Sequence, residues 1–221
     1  MRVRRTYAVA VVGALAIAGI STQAGAASKP KPKPVKPVCN LLTDDAGDAS
    51  FLPGVADDNL DILSADVATS AKTLTVELRL KSYSATDTNA PFGRNYYVLF
   101  SAPGQPNPIF LSYSVGPLAS SASYGDLEPG AGASSYTPKG TATVAVAGTN
   151  ITLSAPIADL SSLAAIKPGT KLTDLNANAT VLVGVPDNPA VGTPGVVFSA
   201  DTATGGKSYI AGTPSCVKVT P

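Results

Sequence analysis

The chain has 221 residues, 16 basic against 15 acidic, two cysteines, and neither histidine nor tryptophan. The missing histidine removes Ser-His-Asp and Cys-His nucleophilic arrangements, zinc sites built on imidazole, and the commonest general base near neutral pH. Charge is uneven: from Cys39 onward nine basic residues stand against fifteen acidic ones, a net of −6. An acidic domain lacks the basic face that displaces phosphate counterions, so nucleic acid is not an expected partner.

The first residues read as a secretory signal. Arg2, Arg4 and Arg5 precede an apolar run from Ala8 to Ile20, and Ala24-Gly25-Ala26 forms an A-x-A cleavage site, so residues 1–26 are expected to be removed. The apolar run falls short of the roughly 20 residues that span a bilayer as a helix, so no membrane span is expected after cleavage. No cysteine directly follows the cleavage site to carry a lipid. Residues 27–38 follow as a Lys/Pro-rich linker containing KPKPKPVKP. Alternating proline removes backbone donors and fixes φ, which gives an extended, semi-rigid spacer. Together these features place the protein outside the cell, with cell-surface association open.

The remaining 39–221 read as one domain. Cys39 lies at its start and Cys216 five residues from its end; an even pair in an exported chain reads as a disulfide, here closing nearly the whole domain. Between Thr43 and Asp66 lie seven of the fifteen acidic residues: Asp44, Asp45, Asp48, Asp57, Asp58, Asp61 and Asp66. Carboxylates this close repel one another unless a cation sits among them, and no basic residue lies within the stretch. Calcium, which takes six to eight oxygen ligands, suits such a loop. The plainer alternative is a set of acidic turns in which aspartate bonds its own backbone. Asp57-x-Asn59-x-Asp61 has the opening spacing of an EF-hand loop, but Ile62 then stands where glycine is needed and Ala68 where glutamate is needed.

From Leu60 the texture is that of strands. In Thr73–Leu80 the residues Leu74, Val76, Leu78 and Leu80 alternate with Thr73, Thr75, Glu77 and Arg79, a period of two with one polar face, so this run and the preceding LDILSADVA form an antiparallel hairpin. Residues 95–101 and 109–115 are two aromatic-rich strands across a proline-containing turn. Residues 116–140 are rich in Gly, Ser, Ala and Pro and read as a long loop of functional interest. Residues 141–147 and 150–155 form a hairpin across Gly148-Thr149. A single short helical turn fits near residue 157, and strands follow at 175–185 and from Val196. Many short strands with little helical periodicity predict an all-β fold, an antiparallel β-sandwich of jelly-roll or immunoglobulin-like type.

Asp45-Ala46-Gly47-Asp48, then Asn59-Leu60-Asp61-Ile62-Leu63-Ser64-Ala65-Asp66-Val67, then the 74–80 strand, resemble the D-x-G-D … LDI pattern of exported bacterial β-sandwich domains similar to DOMON domains and family 9 carbohydrate-binding modules. Asp201-x-Ala203 … Tyr209-x-x-Gly212 resembles the end of such domains. The resemblance implies a calcium-stabilised accessory or ligand-binding domain, with Asp45, Asp48, Asp61 and Asp201 as metal ligands. It departs from those families in having no Trp to stack on a sugar and no His for haem.

The expected function is that of a secreted, non-catalytic domain with a structural or extracellular binding role, its partner a cell-wall glycan or another extracellular protein. A carbohydrate-binding module is the alternative; its stacking rings would come from Tyr83, Tyr96, Tyr97, Tyr113, Tyr124, Tyr136 and Tyr209. A hydrolase using only carboxylates stands third, since Glu77 and Glu128 are the only glutamates and both read as solvated.

Overall fold

The computed structural model describes residues 35–52, 55–86, 90, 93–117, 119–129, 135–183 and 196–219. The expected signal sequence and most of the Lys/Pro spacer lie outside these residues.

Short strands open the domain: β1 (Leu42–Thr43), β2 (Ser50–Leu52) and β3 (Val55–Ala56). The hairpin β4 (Ile62–Thr69) and β5 (Thr73–Leu80) follows, then a meander of β6 (Arg94–Ser101), β7 (Ile109–Val115), β8 (Ser120–Glu128) and β9 (Ser135–Thr141). A second hairpin, β10 (Thr143–Ala147) and β11 (Asn150–Pro156), turns at Gly148, whose φ of 62° suits the first position of a tight turn. One short helix, α1 (Ile157–Leu160), leads into β12 (Lys171–Val183), β13 (Val196–Ala203) and β14 (Tyr209–Ile210).

These strands form two antiparallel sheets, as an all-β sandwich requires. The first has the order β1-β4-β5-β11-β10; the second runs β13-β12-β6-β7-β8-β9, with β14 on the early part of β12, and β2 and β3 pair separately. One core lies between the sheets. Leu74, Val76, Leu78, Leu80, Ile151 and Leu153 meet Tyr96, Val98, Phe100, Leu111, Ala177 and Val181. The alternation along β5 thus sets the inner face, though Thr75 on the other face is buried too, its hydroxyl 2.9 Å from that of Ser154 on β11.

The chain passes from the second sheet to the first at one residue. Ala142 separates β9 from β10, and its N–H donates to the Ala122 carbonyl of β8. The long loop expected over 116–140 is therefore corrected: most of it forms β8 and β9. Its small side chains hid a pattern that pairing with β7 imposes, in which Ala122 and Tyr124 point inward opposite Tyr113 and Leu111. Strand preference depends more on such neighbours than on intrinsic propensity.

Gly125 on β8 has a specific reason to lack a side chain. A Cβ there would lie 2.0 Å from the Thr137 carbonyl oxygen and 2.8 Å from the Phe110 ring. Gly125→Ala is expected to destabilise the domain by about 1–3 kcal/mol through overpacking at the β8–β9 seam, read as a lower urea midpoint with unchanged slope.

The disulfide joins Cys39 to Cys216, with Cα atoms 5.2 Å apart. Around it the two ends of the domain run parallel: Val38 pairs with Ser215, the Val38 N–H donates to the Pro214 carbonyl, and the Cys216 N–H donates to the Val38 carbonyl. The bridge is compatible with an extracellular protein. Among the described residues no helix is long and apolar enough to cross a membrane.

Candidate functional site

The acidic stretch wraps the end of the sandwich where β1, the β4 entry and β13 meet, and its aspartates take three different roles. Two build structure. Asp57 Oδ1 accepts the Asn59 N–H at 2.9 Å, closing a turn, and buried Asp66 Oδ1 accepts the Leu41 N–H at 2.9 Å. Two others share a lysine that sequence distance concealed: Lys81, just past β5, lies 2.8 Å from Asp58 and 3.5 Å from Asp61.

Asp44, Asp48 and Asp201 form the third group. One carboxylate oxygen from each can be chosen so that all lie within 4.8 Å of one another. No ion pair among the described residues reaches any of the three. Asp201 sits on β13 next to a register shift opposite Ala179, is only 8% exposed, and its Oδ2 accepts the Ile62 N–H at 2.7 Å. Burial pushes the Asp201 carboxyl up to about 6, the charges of Asp44 and Asp48 add to the rise, and the N–H groups of Ile62 and Thr202 oppose it. Asp44 is raised as well, by burial first and then by Asp48, Asp45 and Asp61, against a backbone hydrogen bond from Asp45.

The expected ligands were Asp45, Asp48, Asp61 and Asp201; the converging set contains Asp48 and Asp201, with Asp44 in place of Asp45 and Asp61. Strand parity explains the first exchange. Leu42 points inward and Thr43 outward, so Asp44 turns toward the protein and Asp45 toward solvent. Extending the alternation of β1 by one residue would have found Asp44. Asp61 lies alongside, 1% exposed, with Oδ2 accepting the Gly47 N–H at 2.6 Å. Its Oδ1, like Asp44 Oδ2, is buried without a hydrogen-bond partner.

Oxygen atoms shared by one calcium ion, each 2.3–2.6 Å from it, lie at most about 5 Å apart. The three carboxylates fit that limit. The chemistry fits too, because hard oxygen donors carrying negative charge and making no ion pair among the described residues suit a hard cation.

The aromatic residues divide by face. Tyr96, Tyr113, Tyr124 and Tyr209 are buried, and half-buried Tyr83 bonds the Tyr113 hydroxyl at 3.2 Å beneath the Arg94 guanidinium. Tyr97 and Tyr136 belong to the outward face of the second sheet. Their rings stack at 3.8 Å between centroids, and the Phe110 ring lies beside both at nearly a right angle to each. They come from β6 and β9, separated by three inter-strand spacings of about 4.8 Å each, so both rings lean inward across β7 and β8.

Around them the outward face carries no charge in its central rows. Ser121, Ser114, Asn95, Thr180 and Ser199 stand in one row across five strands, and Ser123, Ser112, Tyr97, Asn178 and Thr202 in the next. The first sheet differs, presenting Asp66 opposite Glu77 and, two residues along β5, Arg79. The two glutamates lie on different sheets, Glu77 near the Asn150 amide and Glu128 2.7 Å from Lys139. No protein-family model matches the chain, and no curated protein is significantly similar to it.

Proposed function

We propose that this is a secreted, non-catalytic β-sandwich domain stabilised by calcium at Asp44, Asp48 and Asp201, with a structural or binding role outside the cell. The observation that supports it is the convergence of three carboxylates, one of them buried, none of which is ion-paired among the described residues. The partnerless buried oxygens of Asp44 and Asp61 beside that point add to it. The resemblance to DOMON-like and family 9 carbohydrate-binding domains leads to the same reading. Calcium is expected to raise the melting temperature of the disulfide-intact protein by several degrees over chelator. Coincident melting curves would mean the aspartates only form turns.

Sugar binding is the second reading, and the uncharged outward face around Tyr97 and Tyr136 favours it. Hydroxyl and amide rows flanking aromatic rings match a neutral, hydroxyl-rich polymer better than a charged one. Retention of the protein on insoluble cell-wall polysaccharide, weakened at least tenfold by Tyr136→Ala, is the expected result. Equal retention of the variant, or none of the wild type, counts against it.

A further inference from the structure

The edges of the two sheets are not equally defended. β9, the edge of the second sheet, contains Pro138 and Lys139, and its register with β8 shifts at Gly125. Each device blocks the addition of another strand. β13 at the opposite edge packs against β2, and β1 at one edge of the first sheet is only two residues long. β10 has none of these protections. It pairs with β11 on one side and with no other strand among the described residues, all five of its residues are exposed, and TVAVA contains no charge and no proline.

We propose that β10 pairs edge to edge with β10 of a second copy of this chain, joining the two five-stranded sheets into one antiparallel sheet. The partner follows from the symmetry of the segment. An antiparallel pair centred on a two-fold axis at Ala145 sets Val144 of each copy opposite Val146 of the other, and Thr143 opposite Ala147. In the register with β11, Val144 and Val146 share the face of Leu153 and Ile151, yet they remain 37% and 38% exposed, since no strand of the described residues lies beyond them. Paired copies would bring these four valines together on one face and leave only threonine and alanine on the other. The domain is net acidic, but the strand carries no charge to oppose its own copy. The contact makes main-chain hydrogen bonds first, as strand addition does, and side-chain contacts second.

Sedimentation equilibrium of the purified, disulfide-intact full chain is expected to show a reversible monomer–dimer equilibrium. Val146→Lys should raise its dissociation constant at least tenfold, and so should Thr143→Lys, which keeps the valines intact should the first variant fold poorly. Val197→Lys, at an exposed position on β13 of the other sheet, should leave it unchanged. Amide hydrogen exchange in residues 143–147 should slow as protein concentration rises. A monomer at concentrations up to about 1 mM, the weak end of measurable association, overturns the proposal. So does a dimer that resists both β10 variants or is weakened equally by Val197→Lys; in those cases the exposed edge serves another protein's strand or none.

Discussion

Replacing Cys39 and Cys216 together with alanine is expected to cost the domain about 2–5 kcal/mol, the range for native disulfides in exported domains. The bridge spans 177 positions, and chain entropy alone puts the upper end near 5 kcal/mol for a loop of that size. Since 1 kcal/mol moves the melting temperature of a domain this large by about 2–4 °C, the variant should melt roughly 10 °C lower. Both cysteines are replaced so that no free thiol is left to react. The native-state cost should be local, because the bridge secures Val38 against Ser215 and carries no part of the core. An unchanged urea midpoint would show that the parallel pairing of the ends suffices without the covalent bond.

The second large effect should come from calcium, and its dependence on pH identifies the residues. Without calcium, the Asp201 carboxyl has a folded value of about 6 against an ordinary 3.8. The folded state therefore holds this proton more tightly than the unfolded chain does. Its contribution to stability is full below about pH 4 and is lost as pH rises through about 6. Asp44 shifts in the same direction. A carboxylate ligates calcium only when ionised, so the proposed calcium benefit should be small near pH 4 and grow as pH rises through the same interval. At a hundredfold excess over its dissociation constant the benefit is about 2.7 kcal/mol. Asp201→Asn should abolish the calcium shift and flatten the pH profile in chelator. Asp48→Asn should remove most of the calcium shift, whereas Asp159→Asn, at an exposed position of α1, should change neither. A calcium shift that persists in Asp201→Asn, or that does not vary with pH, would place the ion elsewhere.

The parts of this fold that could be read in the sequence are those where side chains differ sharply between faces. The alternation of β5, the Gly148 turn and the short α1 are of this kind. β8 and β9 could not be read, because serine, glycine and alanine barely distinguish an inner from an outer face, and their strands exist through pairing with β7. The same limit applied at the acidic site. Abundance of aspartate marked the region, but its division into turn-builders, partners of Lys81 and a converging triad depends on Lys81 and Asp201 arriving from distant strands. Only the exchange of Asp45 for Asp44 was decidable locally, from the parity of Leu42 and Thr43.

The parallel closure of the two ends has a mechanical consequence. A pull applied between residue 37 and residue 218 enters the covalent bridge at Cys39 and leaves it at Cys216, so the sheets between them carry no load. Without the bridge, unravelling would release the chain between the two cysteines, a sequence separation of 177, or roughly 600 Å of extended chain at about 3.4 Å per residue. With it, the same force lengthens the molecule by only the few residues outside the clamp. On a tether exposed to flow or to a moving surface, the domain would keep its shape until a covalent bond broke or was reduced.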